Sequence, residues 1–436
     1  DPASGTYSII TIELAVDAIR LSSNYPALAF NSLPSQQTLV HTVDVLSNSE
    51  NAIAWQASSN VSWITLTPDM ANNRLTITAV PANAATDGLH IGEVTLSATN
   101  PEQALPGTIA VSLNKGATDT SDVTISDVVP NTAATQLDPV RPYLYVGVSD
   151  TLRVYNIVSG ELVTTINSPL AGVDLTNLVI QPDGQSMLAS NEETYTDEEG
   201  AEQTRVNHYL VDLTSQEISQ LDSEQITIEY RPVSIKMVAG MPVVITQTQE
   251  FADIALVRQA WDQANAFFSS NLASPSSKDS INILNIGTAT LEQFQLGYNA
   301  YASETVSAQK ASSYQNDNFA ALSQFRLDSQ GTNIYTANST TEWSSFDGTD
   351  YTDNGLLHAD DNITTLDVSI DSANNSYYYR FNPLAGFTLT KYGANQTEIW
   401  TQVMSSGSGT SYLAPDYQRV IHYDSSTSSL VILSMP

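Results

Sequence analysis

No cysteine occurs anywhere in the 436 residues. That excludes disulfide staples, thiolate metal centres and thiol nucleophiles, and it leaves each domain to be held by its own core. Histidine is nearly as scarce. His41, His90, His208, His358 and His422 are the full set, no two at ligand spacing, and no H-E-x-x-H pattern is present, so a zinc site is not expected. Cationic charge is thin: 15 Lys plus Arg stand against 47 Asp plus Glu, a net charge of -32. Such a balance disfavours nucleic acid and anionic membrane surfaces as partners. No run of eighteen apolar residues is present, so no membrane-spanning helix is expected. The G-x-S-x-G elbow that exposes a serine nucleophile is missing. No pair of carboxylates is singled out by its spacing either, and the expectation is a protein that is not an enzyme. The chain opens on DPASGTYSIITIEL without a signal-peptide pattern. That opening reads as the last strand of something upstream and predicts a processed or truncated N-terminus.

What is abundant is neutral and polar. Charged residues make up only 14 % of the chain, and Ser, Thr, Asn and Gln fill the remaining polar positions. A polar, weakly charged surface suits an exported protein, and the expectation is a secreted, periplasmic or cell-surface protein of a bacterium. The acidic cytosol of a halophile is the rival account, but its proteins carry far more charge.

The length suits two or three domains. Residues 1–13 read as a remnant or extra strand of an upstream module. Residues 14–116 carry short extended runs at Leu21–Phe30, Gln37–Leu46, Ile53–Trp55, Val61–Leu66, Leu75–Val80, His90–Ala98 and Gly107–Leu113. Turn signals every 8–12 residues and no helical period predict an antiparallel β-sandwich. Residues 117–140 are small and polar, with Pro130 and Pro139, and read as a linker whose Val123–Val129 run can be handed to the next domain as a strand. From 141 to 436 a hairpin phrase recurs. Its first strands are Tyr143–Val148, Ser186–Ser190, Pro242–Gln247, Asn333–Ala337, Tyr377–Phe381 and Arg419–Tyr423. Its second strands are Leu152–Ile157, His208–Leu213, Ile281–Ile286, Ile363–Val368, Phe387–Tyr392 and Leu430–Met435. Four second strands end on an Asn or Asp between apolar residues, where a short side chain can bond its own backbone and start a turn. Four strands per unit at this period predict a β-propeller, with six blades counted and seven left open.

Two resemblances join this reading. AWQASSNVSWITLTP at 54–68 and GLHIGEVTLSATN at 88–100 resemble the BACON-type immunoglobulin-like domain, with Trp55, Trp63, Gly88 and Gly92 at its pattern positions. The resemblance implies an immunoglobulin-like β-sandwich found beside carbohydrate-active or surface proteins. IQPDGQSMLAS…YLVDLTSQE and YLYVGVSDTLRVYNIVSGELVTTI resemble YVTN/WD40-like propeller blades. The implied fold class is all-β, a sandwich followed by a propeller.

Two acidic loops and one apolar stretch complete the candidate features. Asp347, Asp350 and Asp353 recur every third residue beside Gly348 and Gly355, followed by Asp360, and such carboxylates can converge on Ca²⁺. Trp343, Phe346 and Tyr351 surround that loop and offer rings to a sugar or peptide. Glu192–Glu202 is a second, unshaped acidic insertion. FADIALVRQAWDQANAFFSSNL, from Phe251, has helical spacing and predicts a rim helix. The functional expectation is a non-enzymatic surface protein whose propeller loop face binds a glycan, peptide or surface protein, with the sandwich as a spacer. A carbohydrate-active hydrolase or lyase, and a structural subunit of a surface assembly, stay open beside it.

Overall fold

The computed structural model describes residues 19–33, 38–49, 51–116, 121–131, 134–169, 171–196, 200–220, 232–238, 241–246, 251–253, 272–273, 280–285, 290–299, 305–315, 322–327, 333–338, 342–347, 353–359, 364–370, 375–382, 386–393, 397–404 and 411–435. Among them the chain is β-strand and short 3-10 turns, with no α-helix.

The N-terminal strands are β1 (Leu21–Ser23), β2 (Ala27–Ser32), β3 (Leu39–Ser47), β4 (Trp55–Ser59), β5 (Ile64–Asp69), β6 (Arg74–Ala79), β7 (Gly88–Ala98) and β8 (Gly107–Lys115). They make two four-stranded sheets of order β1-β3-β6-β5 and β2-β8-β7-β4. Strict alternation drives this. In β7, Val94, Leu96 and Ala98 are buried while Glu93, Thr95 and Ser97 face outward. Both sheets contribute to one core that includes Phe30, Val43, Leu75, Ile77, Leu96 and Val111. Trp55 and Trp63 lie in it at 3 % and 4 % exposure, so neither is a platform for sugar. The Trp55 Nε1–H donates to Asn73 Oδ1 at 3.3 Å, which satisfies the one polar edge of that ring.

One stretch read as a single strand, Leu21–Phe30, is two. The chain breaks at Asn24-Tyr25-Pro26, where Asn24 Oδ1 accepts the backbone N–H of Asp44 at 2.8 Å. β1 and β2 then join different sheets, and β2 runs parallel to β8. The expected all-antiparallel immunoglobulin-like sandwich is therefore not retained, nor is the BACON-type resemblance that carried it.

Seven further sheets follow among the described residues, six of four strands and one of three. The first is the meander Thr135–Leu137, Tyr143–Val148, Thr151–Asn156 and Leu162–Asn167. Its hairpin turns at Ser149-Asp150, and the Asn131 amide holds that turn, accepting from Ser149 N and donating to Ser149 O. The Asn/Asp turn recurs with the same bonds. Asn156 Oδ1 accepts from Val158 N and Ser159 N, Asp212 Oδ1 from Thr214 N and Ser215 N, and Asp424 Oδ1 from Ser426 N. The last sheet holds Ser411–Ala414, Arg419–Asp424 and Ser429–Ser434, and its fourth strand is Val123–Ile125 (β9), with Val123 opposite Ile432 and Ile125 opposite Leu430. First and last sheets share a core of Leu144, Val146, Tyr155, Ile421, Leu430 and Ile432.

These are separate flat sheets, none closed or curled into a barrel, and no hydrogen-bond ladder joins one to the next among the described residues. The expected six-bladed β-propeller and its YVTN/WD40-like resemblance are accordingly replaced by a series of four-stranded sheets. The count of six failed for a physical reason. Pro242–Gln247 and Ile281–Ile286, read as partners, belong to different sheets, as do Asn333–Ala337 and Ile363–Val368. The missing strands lie in stretches read as insertions because they are polar: Glu342–Asp347 pairs with Asp353–Ala359. The Glu192–Glu202 insertion is likewise the hairpin prolonged, paired as far as Thr196 opposite Glu202. Where the rim helix was expected to begin, Phe251–Asp253 is a strand beside Val243–Ile245. The rest of that stretch, apart from the short strand Leu272–Ala273, lies outside the described residues.

Candidate functional site: the junction cleft

A network of buried polar groups lies where the N-terminal sheets meet those that follow. The segment Asp138–Arg141 occupies the meeting point. The Val140 carbonyl accepts two hydroxyls, the Ser112 Oγ–H from β8 and the Tyr417 O–H at 2.6 Å from the 3-10 turn Pro415–Tyr417. The Tyr417 carbonyl in turn accepts Asn31 Nδ2 from β2 at 3.3 Å, and Asn31 Oδ1 accepts Asn114 Nδ2 at 3.0 Å. Three parts of the chain, far apart in sequence, thus share one buried network. Burial raises the Tyr417 phenol well above its ordinary value, which keeps it a donor.

Asp138 anchors the same segment. Its Oδ1 accepts from Val140 N and Arg141 N, and its Oδ2 from Arg141 Nη1 at 2.9 Å and the Tyr145 O–H at 3.0 Å. Arg141 reaches on to the second of the later sheets, donating to Gly184 O at 2.9 Å. Burial works against the Arg141 charge, but Asp138 overcomes it and holds the guanidinium above its ordinary value. Burial and the Asp138 charge also push the Tyr145 phenol far up. Gly184 sits at φ +68°, and a Cβ there would lie 2.6 Å from Val140 Cγ2, so both conformation and space call for glycine.

This network corrects the spacer role. A spacer touches its neighbour lightly, whereas here Ala29 of β2 belongs to the core formed by the first and last of the later sheets, and hydroxyls and amides from both sides interlock. No propeller loop face is present to carry the expected binding surface.

Two cavities of about 350 and 340 Å³ flank the turn Gln181–Gln185 at this junction. Asp183 and Gln185 border both. In the larger they face Arg20, Ser22, Pro106 and Met237; in the smaller, Glu93, Arg141 and Asp212. Burial raises the Asp183 carboxyl above its ordinary value, although Gln185 N and Gln181 Nε2 donate to it at 3.0 and 2.7 Å.

Two Ser–His pairs went unnoticed in the sequence. Ser190 Oγ lies 3.0 Å from His208 Nδ1, and Ser411 Oγ lies 3.0 Å from His422 Nδ1. Each pair faces across adjacent strands, a register that spacing alone does not reveal. All four residues are buried, which closes them to a substrate, and Tyr379 beside Ser411 is pushed up to about 12 by burial. Within each pair the serine hydroxyl and the histidine Nδ1 satisfy one another inside the sheet.

The sequence-derived ligand and metal residues fall only in part within the described residues. Trp343, Phe346 and Asp347 fall in the strand Glu342–Asp347, and Asp353 begins its partner strand, with Phe346 opposite Asp353. Asp350, Tyr351 and Asp360 lie outside the described residues, as do the side chains of the other four. Among the described residues no three His, Asp or Glu are grouped to hold a metal. No helix among them is long and apolar enough to cross a membrane, which leaves membrane β-barrels unaddressed.

Comparison with known proteins adds fold information alone. No family model matches the chain, and no curated protein matches it. A chain in the crystal structure of a mitotic checkpoint complex superposes with a TM-score of 0.51 at 10 % identity, covering 72 % of this chain and 92 % of that one. With 748 solved chains matching, the likeness is too widespread to carry an activity.

Proposed function

We propose that this protein is a non-enzymatic scaffold exported by a bacterium, to its periplasm, surface or surroundings, where it holds a surface protein or glycan through fixed shape. The interlocked junction carries this reading. Ser112, Val140, Tyr417 and Asn31 hold two groups of sheets in one relation, and a fixed relation between surfaces is what a scaffold supplies. The net charge of -32 supports partners other than nucleic acid. The buried Ser–His pairs support a role without turnover, because their hydroxyls are inaccessible.

The test is a mixture of cell-surface oligosaccharides and peptides incubated with the protein and read by mass spectrometry. The account expects every compound to keep its mass while some are retained on the protein. A product of altered mass, formed in proportion to protein, overturns the non-enzymatic reading. Recovery of the protein solely from the cytosolic fraction of its cells overturns the exported one.

A further inference from the structure

The larger junction cavity is lined by a cation that forms no ion pair among the described residues, in a chain poor in cations. Of the described basic residues, Arg74 pairs with Asp44, Lys115 with Asp87 and Arg141 with Asp138. Arg20 lines the cavity, and its one hydrogen bond is made by its backbone N–H to Asn48 Oδ1. Its guanidinium forms no ion pair among the described residues. Asp183 lines the same cavity, with Gln185 N donating to one of its oxygens and Gln181 Nε2 to the other. Arg20 and Asp183 form no ion pair with each other, and both border the cavity. Leu21, Pro26, Pro106 and Met237 supply apolar wall.

We propose that this cavity binds a small zwitterion of the amino-acid class, with its carboxylate on Arg20, its ammonium group on Asp183 and an apolar side chain against Leu21, Pro106 and Met237. About 350 Å³ accommodates an amino acid or a dipeptide. Charge complementarity argues for the zwitterion over a simple ion. A lone anion would meet the field of a chain at -32 and make no use of the Asp183 carboxylate; a lone cation would leave Arg20 unused. A ligand with both charges satisfies both walls and is itself neutral to the field. Burial already raises the Asp183 carboxyl, and an ammonium group would favour its charged form. The site goes beyond the scaffold reading and does not depend on it.

Calorimetry with L-methionine, L-leucine and the dipeptide Gly-Leu tests the assignment, with acetate, n-butylamine and glucose as controls. At least one zwitterion is expected to bind, and the single-charge and neutral controls are not. Arg20→Gln should weaken that binding by about tenfold or more, and so should Asp183→Asn. Arg20 is only partly buried and its side chain bonds nothing among the described residues, so Arg20→Gln should leave the fold intact and remains informative if Asp183→Asn disturbs its turn. Arg153→Gln, on a residue outside this cavity, should leave affinity unchanged. Absence of heat with all three zwitterions up to about 10 mM overturns the proposal. Binding that survives Arg20→Gln undiminished, or binding of acetate equal to that of the amino acids, overturns it as well.

Discussion

At the scale of single residues, the junction concentrates stability in a few buried hydrogen bonds. Tyr417→Phe removes a phenol whose hydroxyl donates to Val140 O in full burial and should cost about 1–2 kcal/mol, measured by urea unfolding. The Ser112 hydroxyl still serves that carbonyl, which keeps the cost below that of an orphaned acceptor. Asp183 makes a pH signature. Burial raises its folded value above the unfolded one, so the folded chain holds the proton more tightly. Its contribution is present below the unfolded value and is lost as pH rises through the folded one. Asp183→Asn should therefore flatten the decline in stability that starts near about pH 4, followed as urea midpoints against pH. A slope identical in wild type and variant would contradict this. Asp212 has the opposite sign, held low chiefly by the Ser215 amide, and being exposed it should contribute little. None of these pairings was legible in the sequence. Asp138, Ser112, Asn31 and Tyr417 stand in unremarkable local contexts, and their meeting depends on how whole sheets pack. The burial of Trp55 and Trp63 was legible, because each borders a short extended run: Trp55 opens β4 and Trp63 immediately precedes β5. Trp63→Ala should cost about 3–5 kcal/mol through lost burial and a cavity.

At the scale of elements, local chemistry marked the hairpins well and their grouping poorly. Tyr143–Val148 with Thr151–Asn156, and Arg419–Asp424 with Ser429–Ser434, were readable because short turns sit between dense apolar runs. Glu342–Asp347 and Asp353–Ala359 were read as a loop because acidic and small residues mask their period. The strand β9 depends on a close approach that glycine permits. Gly160 sits at φ +75°, and a Cβ there would lie 2.2 Å from Val123 Cγ1. Gly160→Ala should cost more than about 1 kcal/mol, from strained backbone together with displacement of Val123. Hydrogen exchange should then show lost protection at Leu430–Ile432, the residues β9 covers. Unchanged protection there, with normal stability, would mean that β9 contributes nothing to the edge it lies on.

At the scale of the whole molecule, composition left the assembly open. Scarce cations, absent cysteine and a polar neutral surface were readable at once; the docking of N-terminal sheets onto the later ones was not, because the small, polar residues 117–140 read as a linker. The central claim is that the two groups of sheets form one fixed body through Val140. Absence of cysteine makes this directly measurable, since spin labels can be placed at two introduced thiols alone. Thr42→Cys on an exposed position of β3 and Leu162→Cys on the first later sheet give a pair that spans the junction. Pulsed electron-electron resonance on this doubly labelled chain is predicted to give one narrow distance distribution, which broadens when Ser112→Ala and Tyr417→Phe are combined. A broad or multi-peaked distribution in the chain that keeps Ser112 and Tyr417 would contradict the account.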